Sequence, residues 1–194
     1  MARYGREHKE ATRQRIIVAA GRRLKKDGID GSGVATLMGD AGLTNGAFYA
    51  HFDSKDDLVA TVVGDQLERQ AMELSNLPAG RAGLEVFVSA YLSRSHRDHP
   101  ELGCTSAALL DELGRCTAAT KKAYTAGTKV ILEEIAARLD PQDPEAARGT
   151  AISLFTMLVG SMQLARALSD RKMSNAVLNE GIRSARALLH ADTE

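Results

Sequence analysis

Thr44-Asn45-Gly46-Ala47 sets a hydroxyl, a carboxamide, a bare backbone and a methyl in succession at the start of a short helix. These groups suit contact with base pairs: an asparagine side chain can hydrogen-bond a base edge, an alanine can touch a thymine methyl, and Gly46 allows close approach. Thr36, on the short helix before it, is a further candidate for a backbone or base contact. The reactive thiol of interest is Cys104. Gly103-Cys104-Thr105 opens an inward helix, and a thiol near a helix N-terminus can have a lowered pKa, which makes Cys104 a candidate sensor of oxidants or electrophiles. A plain buried cysteine is the simpler reading. His96-x-x-His99 comes nearest to a metal pair, but it abuts Pro100 at a helix end, so a solvated loop is expected and no metal or cofactor. There is no Gly-x-x-x-x-Gly-Lys phosphate loop, no Gly-x-Ser-x-Gly elbow and no clustered zinc ligands, so an enzyme is not expected.

Charge supports the nucleic-acid chemistry. The chain of 194 residues has a formal net charge of zero, yet residues 1–26 hold nine Lys and Arg against two acids. Lys and Arg displace condensed counterions from phosphates, so a basic end on a neutral protein suits a polyanion. From charge alone a solvated helix face reads equally well, as does a helical adaptor whose basic first helix serves a protein partner. Composition is that of a globular chain, with 44% hydrophobic and 26% charged residues. No run of eighteen uncharged apolar residues exists and the charged N-terminus lacks a signal-peptide core, so a soluble, cytoplasmic protein without membrane contact is expected. Cys104 and Cys116 are too few for a disulfide scaffold.

These residues need helices to hold them. Turn signals divide helical stretches and almost nothing reads as strand, so the fold class is all-α, with about nine helices. Ile16, Ile17, Ala20 and Leu24 recur at helical spacing in a first helix from about Glu7, closed by Asp27-Gly28. A short apolar-periodic piece, Val34, Leu37 and Met38, stops at Ala41-Gly42, and Thr44 is placed to cap the next helix with its side chain near Ala47. Ser54 and Asp57 stand at capping spacing before a long helix. The next helix, with Leu84, Phe87, Val88, Tyr91 and Leu92 inward, is expected to reach Asp98-His99-Pro100. Pro100 suits the first turn of the helix after it, and Thr117 caps another that runs to about Leu139. Two helices follow, over about 144–169 and 174–190. Residues 1–53 are thus expected to form a three-helix helix-turn-helix domain, and 54–194 a larger helical domain. Two short helices joined by a glycine turn let the second lie in a major groove.

The run Leu43-Thr44-Asn45-Gly46-Ala47-Phe48-Tyr49-Ala50-His51-Phe52-Asp53-Ser54-Lys55-Asp56-Asp57-Leu58 resembles the recognition-helix signature of the TetR family of transcriptional regulators. The matching region covers about residues 7–60, and the remainder resembles the family only in length and layout. Phe48 and Phe52, four apart, are expected to fill a small core with Leu37, Met38 and Leu43. The resemblance implies that Tyr49, His51 and Lys55 contact DNA phosphates. Where many members place Thr residues at the entry to the second helix, this chain has Gly31-Ser32-Gly33, and Ser32 is the available substitute. The Arg3-Tyr4-Gly5-Arg6 arm could enter a minor groove, or be only a disordered tail.

The resemblance further implies a homodimer on a double-stranded, palindromic DNA operator, built through the last two helices, and a small-molecule effector, largely apolar, that releases a repressor. Interface candidates are Ala151, Leu154, Leu158, Ser161, Leu164 and Ala165 with Leu178, Ile182, Ala185 and Leu189, whose alternative place is the intrachain core. Pocket candidates are Phe87, Tyr91, Cys104, Leu109, Tyr124, Phe155, Met157, Met162 and Gln163.

Overall fold

The computed structural model describes residues 2–191, with side chains from residue 7 onward. Among the described residues it contains nine α-helices and two short 3₁₀ helices and no strand, as the turn signals imply. Helix α1 (Ala2–Asp27) starts before the expected Glu7 and carries residues 3–6 in its backbone. The side chains of the Arg3-Tyr4-Gly5-Arg6 arm lie outside the described residues.

The head of the molecule is α1, α2 (Val34–Asp40) and a 3₁₀ recognition helix (Asn45–Ala50). Gly42 makes the turn between the last two with a φ of 68°, a left-handed conformation that side-chain-bearing residues rarely adopt. Ile16, Ile17, Ala20, Leu24, Leu37, Met38, Phe48 and Phe52 are all buried and form the head's share of one continuous apolar core. The two phenyl rings stack with centroids 5.8 Å apart.

Helix α3 (Lys55–Ser75) runs from this head into the body, burying Leu58 and Val59 at one end and Leu67 and Leu74 further along. Its start follows the expected cap: Asp57 N donates to Ser54 Oγ at 3.1 Å, and the Asp57 carboxylate accepts from Asp53 N at 3.1 Å. The body is α4 (Gly80–Tyr91), α5 (Arg94–Asp98), a 3₁₀ turn (Pro100–Leu102), α6 (Thr105–Leu113), α7 (Ala118–Leu139), α8 (Arg148–Ala167) and α9 (Arg171–His190). α7 packs along α3, and α8 pairs with α9.

Three local expectations are corrected. The helix of Phe87 and Tyr91 ends at Tyr91 instead of reaching Asp98, because Ser93 takes an extended conformation and its Oγ accepts from His96 N, starting α5 afresh. Pro100 opens only the 3₁₀ turn, since Gly103 is extended and α6 begins two residues later. The last helix begins at Arg171, ahead of 174, because the Asp170 carboxylate accepts from Lys172 N and Met173 N.

Candidate functional site

The recognition helix is supported from beneath and open above. Phe48 and Phe52 anchor it, while Thr44, Asn45 and Gly46 are exposed and Tyr49 is 75% exposed. Thr44 stands at the N-cap position, but its hydroxyl makes no capping bond; Ala47 N donates to the Thr44 main-chain carbonyl instead, at 3.1 Å. The side chains of Thr44, Asn45 and Tyr49 therefore keep their hydrogen-bonding groups free among the described residues, with Tyr49 held only by an edge contact to Phe48. Ala47 is half-buried at the same edge and Thr36 is exposed on α2.

His51 is half-buried, its Nδ1 has no partner, and burial, then Lys9 and Arg13, push its pKa down from the usual imidazole value. Arg13 also lies over the Phe52 ring, 4.9 Å from its centroid. Lys9 and Arg13 thus place two cations beside this edge, with Glu10 opposing them. Lys55 is placed differently from Tyr49: its ammonium donates to Ile29 O at 2.6 Å, closing the α1–α2 loop. Ser32, the candidate substitute cap, is fully buried and donates to Gly28 O at 2.7 Å, and Gly33 stands at the N-cap of α2, which has no side-chain cap.

Several ties orient this head. Arg23 bonds Asp27 at 2.7 Å and both oxygens of Asp40, at 2.6 and 2.9 Å, and this second pairing holds the Asp40 carboxyl below its usual pKa. Glu112 of α6 accepts from Ile29 N at 2.7 Å and Asp30 N at 3.1 Å. Lys25, in the last turn of α1, donates to Gln66 Oε1 at 2.9 Å and Gly103 O at 2.8 Å. No sequence pattern marked Lys25 or Glu112, because each acts on a segment distant along the chain.

Lys25 also lines a cavity of about 440 Å³ together with residues of α3, α4 and α5. Of the pocket candidates, Phe87, Tyr91 and Cys104 meet here. Leu109, Phe155 and Met162 are buried in the general core, Met157 packs against it, and Gln163 is half-buried; none of these five lines this cavity. Tyr124 lines a separate groove on α7, and its hydroxyl pairs with Ser106 at 3.0 Å. His96 is not solvated, contrary to expectation. Its Nδ1 faces Tyr91 O at 2.6 Å and its Nε2 accepts from Cys104 N at 2.9 Å, which fixes the proton on Nδ1. Burial lowers its pKa, and Arg166 and Lys25 lower it further. Cys104 is buried at the N-cap of α6, and Cys116 is half-buried; both are free thiols.

The interface candidates divide. Ala151, Leu154, Leu158, Ala165, Leu178, Ala185 and Leu189 are fully or almost fully buried within the chain, so they serve its own core. Leu164 is 51% exposed, and Ser161 and Ile182 are half-buried. On α8 the outward side instead carries Gly149, Ile152, Ser153, Thr156, Gly160 and Leu164, with open space beside both glycines.

A helix-turn-helix head braced on an all-helical body is the architecture on view, and among the described residues no helix is long and apolar enough to cross a membrane. Residues 16–62 match the family model of bacterial regulatory proteins, tetR family. That head is a TetR-family helix-turn-helix domain, and the chain as a whole has the fold of TetR-family transcriptional regulators. The reduced form of NemR from E. coli is similar in structure, with a TM-score of 0.77 and 16% identity over 91% of this chain and 95% of that one. A TetR-family regulator from Agrobacterium tumefaciens gives 0.72 at 20% identity, over 91% and 98%. One from Haloarcula marismortui gives 0.74 at 20%, over 94% and 98%. At such identities the likeness is one of fold. No curated protein matches the chain.

Proposed function

We propose that this protein is a non-enzymatic, ligand-responsive transcriptional regulator. It works in the cytoplasm as a homodimer that occupies a palindromic double-stranded operator and leaves it when a small molecule enters the body. Repression is the expected sign. The observation that carries the reading is the open edge of the recognition helix: Thr44, Asn45 and Tyr49 present unengaged polar groups beside Gly46, on a helix fixed by the buried Phe48 and Phe52. In this reading Asn45 and Ala47 read base edges, Thr36 and Thr44 assist, and Tyr49 and His51 hold phosphates next to Lys9 and Arg13. Lys55 remains a candidate anchor, and its bond to Ile29 O gives it a second task in shaping the head.

Dimerisation supplies the second recognition helix, about one DNA turn away. The outward face of α8, apolar at Ile152 and Leu164 and open at Gly149 and Gly160, supports an interface through the last two helices. The effector reading draws on the cavity between α1, α3, α4 and α5, which a residue of the head itself helps to line. A gel shift against the flanking intergenic DNA tests the proposal. Salt-sensitive, sequence-selective binding is expected; its absence overturns the regulator reading.

A further inference from the structure

The cavity has an unusual charge pattern on its inner wall. Lys25 is only 8% exposed, yet among the described residues it forms no ion pair; its two partners are the neutral oxygens of Gln66 and Gly103. An ammonium has three N–H donors, so one is left over. On the far side of Gly103 stands Arg166, also without a carboxylate: its guanidinium donates to the main-chain carbonyls of Arg97, Ala107 and His96. Burial lowers the pKa of both cations. The acidic groups that face them are the Cys104 thiol, beside both, and the Tyr91 hydroxyl beside Arg166; the carboxylates act only through the field, Glu73 from the exposed part of the cavity on Lys25 and Glu101 on Arg166. Two sheltered positive groups without a counterion are costly unless something supplies the negative charge.

Two neutral groups of the same wall also lack partners. Tyr91 is 5% exposed, lines the cavity, and its hydroxyl makes no hydrogen bond of acceptable geometry, although it stands beside the Cys104 thiol. Both amide atoms of Gln70 are buried and unpaired. Leu74, Leu77, Val86, Phe87, Ala90 and Leu102 supply the apolar remainder of the lining. We propose that this cavity binds a small organic anion with an apolar body, its carboxylate or similar acidic head meeting Lys25, Tyr91 and Gln70 while the body lies along Leu74, Leu77 and Phe87. The proposal rests on the reading of the chain as ligand-responsive and gives the effector a charge that the sequence did not suggest. It also names a route to the head: an anion that takes the third N–H of Lys25 pulls on the same ammonium that ties the end of α1 to Gly103 O and Gln66.

Matched pairs of probes test it: decanoate against 1-decanol, and 4-phenylbutyrate against 4-phenylbutan-1-ol, by calorimetry on the full chain at pH 7.5. At least one carboxylate should bind roughly tenfold or more tighter than its alcohol, the scale of one charge-assisted hydrogen bond. Lys25→Met should remove that preference, and Tyr91→Phe, which leaves the ring in place, should weaken carboxylate binding several-fold. Equal affinities within both pairs, no carboxylate binding up to millimolar concentration, or an unchanged preference in Lys25→Met and Tyr91→Phe would overturn the proposal. Circular dichroism of both variants shows whether they fold, and Tyr91→Phe decides alone if Lys25→Met does not. Fluorescence anisotropy with the intergenic DNA is read separately: a carboxylate that binds at Lys25 and leaves DNA affinity unchanged sinks the effector reading and leaves the anion site standing.

Discussion

Replacing Glu112 by alanine tests how the head is held. The Glu112 carboxylate accepts two main-chain N–H groups, from Ile29 at 2.7 Å and Asp30 at 3.1 Å. Ile29 is buried, so its donor has no ready replacement by water, whereas Asp30 is exposed. Taking roughly 1.5 kcal/mol for the sheltered charge-assisted bond and roughly 0.5 kcal/mol for the exposed one, the loss is about 2 kcal/mol. For a chain of this size that lowers Tm by about 4–8 °C. Glu112→Gln keeps an oxygen facing both donors and loses only the charge, so it should cost about half as much. Gly28 sharpens the test. Its φ is 83°, and a Cβ there would stand 2.8 Å from Glu112 Oε1, so Gly28→Ala combines backbone strain with a clash against the same carboxylate. Its cost should be smaller in the Glu112→Ala background than in the wild type, a coupling that a double-mutant cycle measures. Urea unfolding gives the stabilities, and anisotropy with the intergenic DNA should show a several-fold weaker complex for Glu112→Ala. A Glu112→Ala protein within about 0.5 kcal/mol of wild type, or a Glu112→Gln variant as damaged as the alanine one, would refute the argument.

Three further outcomes are expected. Asn45→Ala should relax selectivity by about 1–3 kcal/mol at one base pair, whereas Tyr49→Ala should weaken binding on all sequences alike; a binding matrix over single-base operator variants separates the two. Phe48→Ala, at a site 1% exposed, should cost roughly 3–5 kcal/mol and abolish sequence-selective binding, seen by thermal melting and gel shift. The pH dependence follows from His96 and His51, whose pKa values are lowered in the folded protein. The unfolded chain then binds more protons, so stability is full above about pH 6.5 and declines as pH falls below that value toward the folded pKa values. His96→Gln should flatten this decline between about pH 5 and 6.5, above the range where carboxylates such as Asp98 and Asp40 contribute; a slope unchanged from wild type would contradict the assignment.

The head was legible because its information is local. The Phe48–Phe52 spacing, the Gly42 turn and the Ser54–Asp57 cap each bind near neighbours, and each stands as expected. The body was legible as helices and not as faces. In α8 a residue that packs on its own chain and one that faces outward are both apolar at helical spacing, so Leu158 and Leu164 look alike in sequence and differ in place. The break at Ser93 was hidden because apolar residues continue through Leu92 and the capping serine sits among polar ones. His96 was misread for a related reason: its burial depends on Tyr91 O and Cys104 N converging from two other segments. Lys25 looked like one of many basic residues of α1, and only the fold shows it turned inward onto Gly103.

The ties at Glu112 and Lys25 also set a timetable. The head is made first on the ribosome, yet Ile29 waits for a residue 83 positions later, and Lys25 for one 78 positions later. At elongation rates of about 5–20 residues per second that interval is roughly 4–16 s. Throughout it the basic residues of α1 are already made, while the main-chain donors of Ile29 and Asp30 in the α1–α2 loop lack the carboxylate that accepts from them. The last step in assembling the helix-turn-helix head is thus left to a segment synthesised well after it.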